Sequence, residues 1–175
     1  MPAQRLAKPP GTHREIQNRS RRDLVNDRVN HDEYGKRLFS FILGKRWVSR
    51  LGNDGSIDMA GVRADLDGLI LSEDLSRVEC AVEIEARTYK QIRGGILDLA
   101  WHPAPRKILV IILAQPQLGN DKKALAHCMF VWQKLTKGEN VPFELVVLRG
   151  TGAYPMDEVD RLLVIDALRK LDLIH

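Results

Sequence analysis

Two pairs of carboxylates are placed where they could do chemistry together. Glu83 and Glu85 are two residues apart in a run of alternating apolar and polar residues, so on a β-strand their side chains would share one face. Asp65 and Asp67 lie in the segment before that run. Carboxylate oxygens are the ligands that hard ions such as Mg²⁺ prefer, and a bound ion can activate water for attack on a phosphodiester. The pattern therefore suggests metal-assisted hydrolysis.

A β-hairpin must position these side chains. The alternation predicts a strand from about Val78 to Ala86, and an earlier strand from about Val62 to Leu71. The polar segment between them is short, which favours an antiparallel connection. On this hairpin Asp67 and Glu83 would converge at the same end of the sheet, with Glu85 on the face of Glu83.

The helix predicted after the second strand would lie over the same acids. Thr88 is placed to cap its N-terminus. Lys90 and Gln91 fall near the start of this helix, where a cation could steady the phosphate or the attacking water. Gly94 and Gly95 would weaken the helix by about 1 kcal/mol each relative to alanine, unless another group approaches closely there. The predicted buried stripe is Ile92, Ile96, Leu97 and Ala100.

The remaining pattern predicts an α/β sandwich. Helices are expected at about residues 31–47, 122–135 and 156–173, strands at 107–114 and 143–148, and a Gly-Asn-Asp-Gly turn at 52–55. The hairpin is antiparallel and the later strands are joined by helical crossovers, so the central sheet should be mixed and flanked by helices. We expect one such domain at residues 31–175, after an N-terminal arm at residues 1–30.

These residues resemble the PD-(D/E)xK nuclease superfamily, which has the restriction-endonuclease-like fold. The similarity rests on Asp67-Gly68-Leu69-Ile70 and Glu83-Ile84-Glu85 in a helix, hairpin, helix, strand order, and it covers roughly residues 31–115. In that family the hairpin aspartate and the first acid of the D/E-x-K triplet bind the metal, and the lysine orients or activates water. The resemblance therefore implies that Asp67 and Glu83 bind Mg²⁺ or Mn²⁺ in a nuclease acting on nucleic acid, with DNA the expected substrate. Cutting both strands of a duplex would be easiest for a homodimer.

The chain departs from the family pattern at two positions. Leu66 rather than proline precedes Asp67, and Glu85 stands where the family has lysine. Glu85 could be a further metal ligand or a base, Lys90 could take over the role of the lysine, or the site has decayed and the fold now only binds nucleic acid or a protein. A glutamate of the first helix often joins the site in this family, and Glu33 is the glutamate of that helix.

Simpler explanations exist for several of these acids. Alternation alone places polar residues on the wet face of a half-exposed sheet, which would account for Glu79, Glu83 and Glu85. Asp65 is expected to be exposed, or to lie behind the ligands. Glu33 would be favoured in the first turn of a helix by the helix dipole.

The N-terminal arm is basic. Residues 1–30 carry seven Lys or Arg and three Asp or Glu, while the rest of the chain is neutral overall. A basic arm ahead of a neutral body is typical of nucleic-acid contact, because each cation can displace counterions from phosphate. The alternative is a solvated tail that only aids solubility.

Other classes of protein fit the sequence less well. It has no apolar run long enough to span a membrane and no apolar signal segment near Met1, so we expect an intracellular, cytoplasmic protein without membrane contact. Cys80 and Cys128 show no metal-ligand spacing and are expected to be reduced and buried. GxGxxG, GxxxxGK[ST] and GxSxG motifs are missing, which disfavours an unrelated α/β enzyme acting on a small substrate.

Overall fold

A mixed sheet of five strands organises the part of the chain that the computed structural model describes, which is residues 31–49, 55–85, 89–112, 121–148 and 157–175. The strands are β1 (Trp47–Val48), β2 (Ser56–Met59), β3 (Val62–Asp65), β4 (Gly68–Leu71), β5 (Val78–Glu85), β6 (Arg106–Ile112) and β7 (Phe143–Leu148). The sheet order is β1-β4-β5-β6-β7, antiparallel from β1 to β5 and parallel from β5 to β7. β2 and β3 form a separate antiparallel hairpin.

Helices cover both faces of this sheet. They are α1 (His31–Leu43), α2 (Tyr89–Trp101), α3 (Asp121–Leu135) and α4 (Glu158–Lys170). On one face the core includes Leu38 of α1 and Leu168 of α4, and on the other it includes Ile96 of α2 and Trp132 of α3. The prediction of an α/β chain with a mixed sheet flanked by helices is confirmed at this level. None of the described helices is both long and apolar enough to cross a membrane.

β5 divides its side chains between the two cores. Cys80, Val82 and Ile84 pack with α1 and α4, whereas Ala81 packs with α2 and α3. By the same alternation Glu83 lies on the α2 face. The predicted second strand and its two faces are therefore confirmed.

The first predicted hairpin strand is wrong in one respect, because β3 and β4 are separate strands in separate sheets. Leu66 is buried, and its N–H donates to the carbonyl of Gly55 just where β3 ends. Gly68 then passes against Trp47, and an added Cβ would lie 2.0 Å from the indole ring, so a larger residue does not fit. The chain changes sheets at Asp67, immediately before β4.

α1 ends earlier than predicted. Gly44 has a φ of +55°, a left-handed conformation that glycine adopts readily, and it begins a short 3₁₀ turn, Gly44–Arg46. Trp47 therefore leaves the helix and stacks on Phe39, with 4.8 Å between the ring centroids. This stack holds the indole over the start of β4.

α1 is fixed from both sides. The Tyr34 hydroxyl donates to the buried carboxylate of Asp160 at 2.8 Å and accepts from the N–H of Asp157 at 3.3 Å, which joins α1 to the start of α4. On the sheet side, a Cβ added at Gly35 would lie 2.8 Å from Cγ2 of Ile84. The backbone of α1 thus lies directly on β5.

The other elements differ from the predictions mainly at their ends. α2 buries Ile92 and Ile96 as predicted, but Leu99 is fully buried while Leu97 and Ala100 are only half-buried. Spacings of four and then three residues keep the buried side chains on one helix face. β6, α3, β7 and α4 occur where elements were predicted, with end shifts of up to three residues.

Some predictions fall outside the described residues. These are the arm at residues 1–30, most of the turn at residues 52–55, and the cap at Thr88. Cys80 and Cys128 are free and buried, as predicted.

Candidate active site

Asp67 occupies the junction between the small hairpin and the main sheet. Its Oδ2 accepts a hydrogen bond from the N–H of Ile84 at 2.9 Å, and its Oδ1 lies 2.9 Å from Nζ of Lys36. The pairing of Gly68 with Val82 places Asp67 opposite Glu83 in the antiparallel register. The carboxylate is therefore oriented by a neighbouring strand on one oxygen and by α1 on the other.

Glu83 lies beside Asp67 in a dry position. Its exposed fraction is 5%, and the other buried residues of a charged type in the described structure are Lys107 and Asp160. Burial raises the pKa of Glu83 to about 10, and the charge of Asp67, a hydrogen bond to Asp67, and the charges of Asp98 and Glu85 add to that effect. At neutral pH Glu83 is therefore protonated and can donate its proton in the hydrogen bond to Asp67. The wet-face explanation is wrong for Glu83.

Helix α2 packs against the acids of β5. A Cβ added at Gly95 would lie 3.5 Å from Cγ and Oε1 of Glu85 and 3.6 Å from Cβ of Glu83, so this glycine is in contact range of both acids. Gly94 has open space instead. Asp98, one turn after Gly95, has a raised pKa because it is partly buried. Three acids other than Asp67 thus lie between β5 and α2.

The structure adds a residue that the sequence prediction missed. Lys36 of α1 forms the ion pair with Asp67, and its side chain is 25% exposed against 20% for Asp67. Gly35 allows the backbone of α1 to lie against Ile84. The side chain of Lys36, the next residue, therefore reaches Asp67 at the open end of the β4–β5 hairpin. A glycine inside a helix pattern is the signal that could have indicated this close approach.

The other predicted site residues take different places. Glu33 is exposed on α1, one turn before Lys36 and so on the same side of the helix, and its role stays a prediction. Lys90 and Gln91 belong to the first turn of α2, but their side chains lie outside the described part of the structure. Asp65 is exposed, as expected, and its Oδ1 accepts hydrogen bonds from Ser56 and Arg63.

The oxygen donors suit a hard divalent ion, although the full predicted ligand set is not assembled. Among the side chains that the structure describes, no three Asp, Glu, His or Cys residues are arranged as a metal-binding group, so Glu85 does not complete one with Asp67 and Glu83. Mg²⁺ is commonly held by one or two carboxylates, with water and substrate phosphates as the other ligands. Asp67 and Glu83 are two carboxyl groups of that kind.

Comparison with known proteins found no matching family model, no matching curated protein and no matching solved structure.

Proposed function

We propose that this protein is a metal-dependent nuclease, or a nuclease-related DNA-processing protein, that hydrolyses phosphodiester bonds with Mg²⁺ or Mn²⁺. The observation that supports the proposal is that Asp67 and the buried Glu83 are cross-strand neighbours where β4 begins. Burying two acids side by side lowers the stability of the fold unless each has a hydrogen-bond partner or a counter-charge. Acids with strongly perturbed pKa values are common at functional sites.

In this proposal the two acids hold the ion and their neighbours handle the phosphate. A divalent ion would supply a polarised water and would offset the charge that develops on the phosphate. Asp67 would keep its orientation through the Ile84 N–H, and Glu83 would release its proton to solvent on binding the ion. Glu85, on the same face of β5 as Glu83, would accept a proton from the attacking water. The water would form a new P–O bond as the bond to the leaving oxygen breaks in line, and the leaving oxygen would take up a proton from solvent.

The test is cleavage of labelled duplex, single-stranded and branched DNA, with RNA alongside, in the presence of Mg²⁺ or Mn²⁺. Asp67→Ala and Glu83→Ala should abolish cleavage and leave the fold and much of the nucleic-acid binding intact. Asp65→Ala is the matched control, because Asp65 lies two residues away but is exposed and pairs with Ser56 and Arg63. Cleavage that survives in Glu83→Ala would sink the proposal.

A second candidate is a module of the same kind that binds nucleic acid or a protein without cutting. It is favoured by one observation, namely that both oxygens of Asp67 already have partners, Lys36 and the Ile84 N–H. Calorimetry separates the two candidates. A protein that shifts DNA on a gel, takes up no Mn²⁺ and cuts nothing would be the binding module.

A further inference from the structure

Helix α4 has an apolar patch on the side that faces away from the sheet. Its inner side packs into the core through Val164 and Leu168. Val159, Leu162 and Leu163 are instead 55%, 52% and 39% exposed. Spacings of three and four residues place these three side chains together on the helix surface, where they form the α4 patch. Large apolar side chains grouped in this way on a surface are typical of a contact with another protein.

The two ends of α4 carry opposite charges on one line along the helix. Glu158 lies in the first turn and Arg169 in the last turn, and both are exposed. Eleven residues of helix make about three turns and span roughly 16 Å, so these two side chains point in nearly the same direction from opposite ends. Nε of Arg161 donates to Oε2 of Glu158 at 2.8 Å, which orients the carboxylate at its end of the line.

A second copy of α4, running antiparallel, matches both the charges and the α4 patch. A two-fold axis at the midpoint of the line reverses the helix, so Glu158 of each copy faces Arg169 of the other. Leu162 and Leu163 lie within about 3 Å of that midpoint along the helix, so they meet the same leucines of the second copy across the axis. A parallel copy would instead place glutamate against glutamate and arginine against arginine.

We propose that the outer side of α4 binds α4 of a second copy of this chain in an antiparallel, two-fold symmetric contact. The α4 patch is its apolar centre, and one ion pair between Glu158 and Arg169 closes it at each end. Asp166 and Lys170 lie on the same side of the helix and pair with each other at 2.8 Å, so the contact leaves neither charge without a partner. One pair of helices is a small interface, which predicts a dimer that dissociates in the micromolar range. This inference does not depend on the proposed nuclease function.

Sedimentation equilibrium of the full chain, over about a hundredfold range of concentration, tests the apolar centre. Wild type should pass from monomer to dimer within that range. Val159→Glu and Leu162→Glu should each weaken the dimer about 30-fold or more, because symmetry makes every substitution act twice. Phe130→Glu is the matched control and should dimerise as wild type does, since Phe130 is equally exposed but lies on α3, across the sheet from α4.

Charge reversal tests the antiparallel direction. Glu158→Arg and Arg169→Glu should each weaken the dimer about 5-fold to 10-fold, because each change sets like charges against each other at both ends. The double variant that carries both changes should recover wild-type affinity, since an arginine at one end again faces a glutamate at the other. Every substituted residue is exposed, and urea unfolding in dilute solution checks that each variant folds.

Three results would overturn the inference. The first is a wild-type chain that stays monomeric throughout the concentration range. The second is a dimer that survives Val159→Glu and Leu162→Glu, or that is lost in Phe130→Glu, because the copies would then meet through another surface. The third is a double charge variant as weak as the single variants, because the two charges would then not face each other. Cleavage of nucleic acid enters none of these readouts, so a failure of the nuclease proposal leaves the test intact.

Discussion

The protonated state of Glu83 predicts an unusual dependence of stability on pH. The pKa of this carboxyl group is about 10 in the folded protein, against an ordinary value of 4.5. Above pH 4.5 the unfolded chain loses the proton while the folded chain keeps it, so Glu83 makes the folded state progressively less stable as the pH rises toward 10. The slope is roughly 1.4 kcal/mol per pH unit, so the contribution between pH 5 and pH 7 is about 3 kcal/mol.

Glu83→Gln should remove this dependence. Glutamine has nearly the same shape, stays neutral at every pH, and can still donate a hydrogen bond to Asp67. The variant should match wild type near pH 5 and exceed its free energy of unfolding by about 3 kcal/mol at pH 7. Urea unfolding followed by tryptophan fluorescence, in buffers with a chelator from pH 5 to pH 8, measures the difference.

The control for this prediction is Glu139→Gln, which makes the same chemical change at an exposed position after α3. This variant measures what the loss of one negative charge at an exposed position does to stability by itself. Should the Glu83→Gln difference stay constant from pH 5 to pH 7, or favour wild type at pH 7, then Glu83 is not held protonated by its surroundings and the reasoning is refuted.

Three further predictions follow from other contacts. Gly35→Ala should cost about 1 to 3 kcal/mol of unfolding free energy through its clash with β5, whereas Gly94→Ala on open helix surface should gain up to about 1 kcal/mol; chemical denaturation compares them, and equal effects would contradict the packing argument. Tyr34→Phe should cost about 1 to 3 kcal/mol because the buried Asp160 loses a hydrogen bond, and a change below the error of urea unfolding would show that this bond does not hold α1. Mn²⁺ binding at pH 7 should release about one proton per ion from Glu83, measured by calorimetry in two buffers of different ionisation enthalpy; wild type releasing no more than Glu83→Gln would contradict that role.

The order of polar and apolar residues along the chain predicted the individual strands and helices of this fold. β5 and β7 were predictable because alternation and apolar runs are written directly in consecutive residues. The break at Asp67 was not, since it arises from two sheets meeting and from Trp47 lying on Gly68, a contact across 21 residues of chain. Sequence pattern cannot show which sheet a short strand joins.

The candidate site was also predictable only in part. The meeting of Asp67 and Glu83 was predictable, because an antiparallel hairpin brings fixed positions together once its register is known. Lys36 was missed because it comes from a helix whose approach depends on packing at Gly35. The burial of Glu83 was indicated only by the helix predicted after its strand, since alternation alone places a polar residue there whether a helix or water covers it.

The contact between Trp47 and Gly68 gives the site its own optical reporter. Trp47 is buried with its indole N–H lacking a partner among the described residues, and its ring rests on the residue that follows Asp67. A ligand that shifts Asp67 would also shift the backbone beneath the ring and change the emission of this tryptophan. Trp101 is exposed, whereas Trp132 is buried and stacks on Phe143. Replacing both with phenylalanine would leave Trp47 as the single tryptophan, in contact with the residue that follows Asp67. Binding of an ion or an oligonucleotide could then be followed in real time without a label.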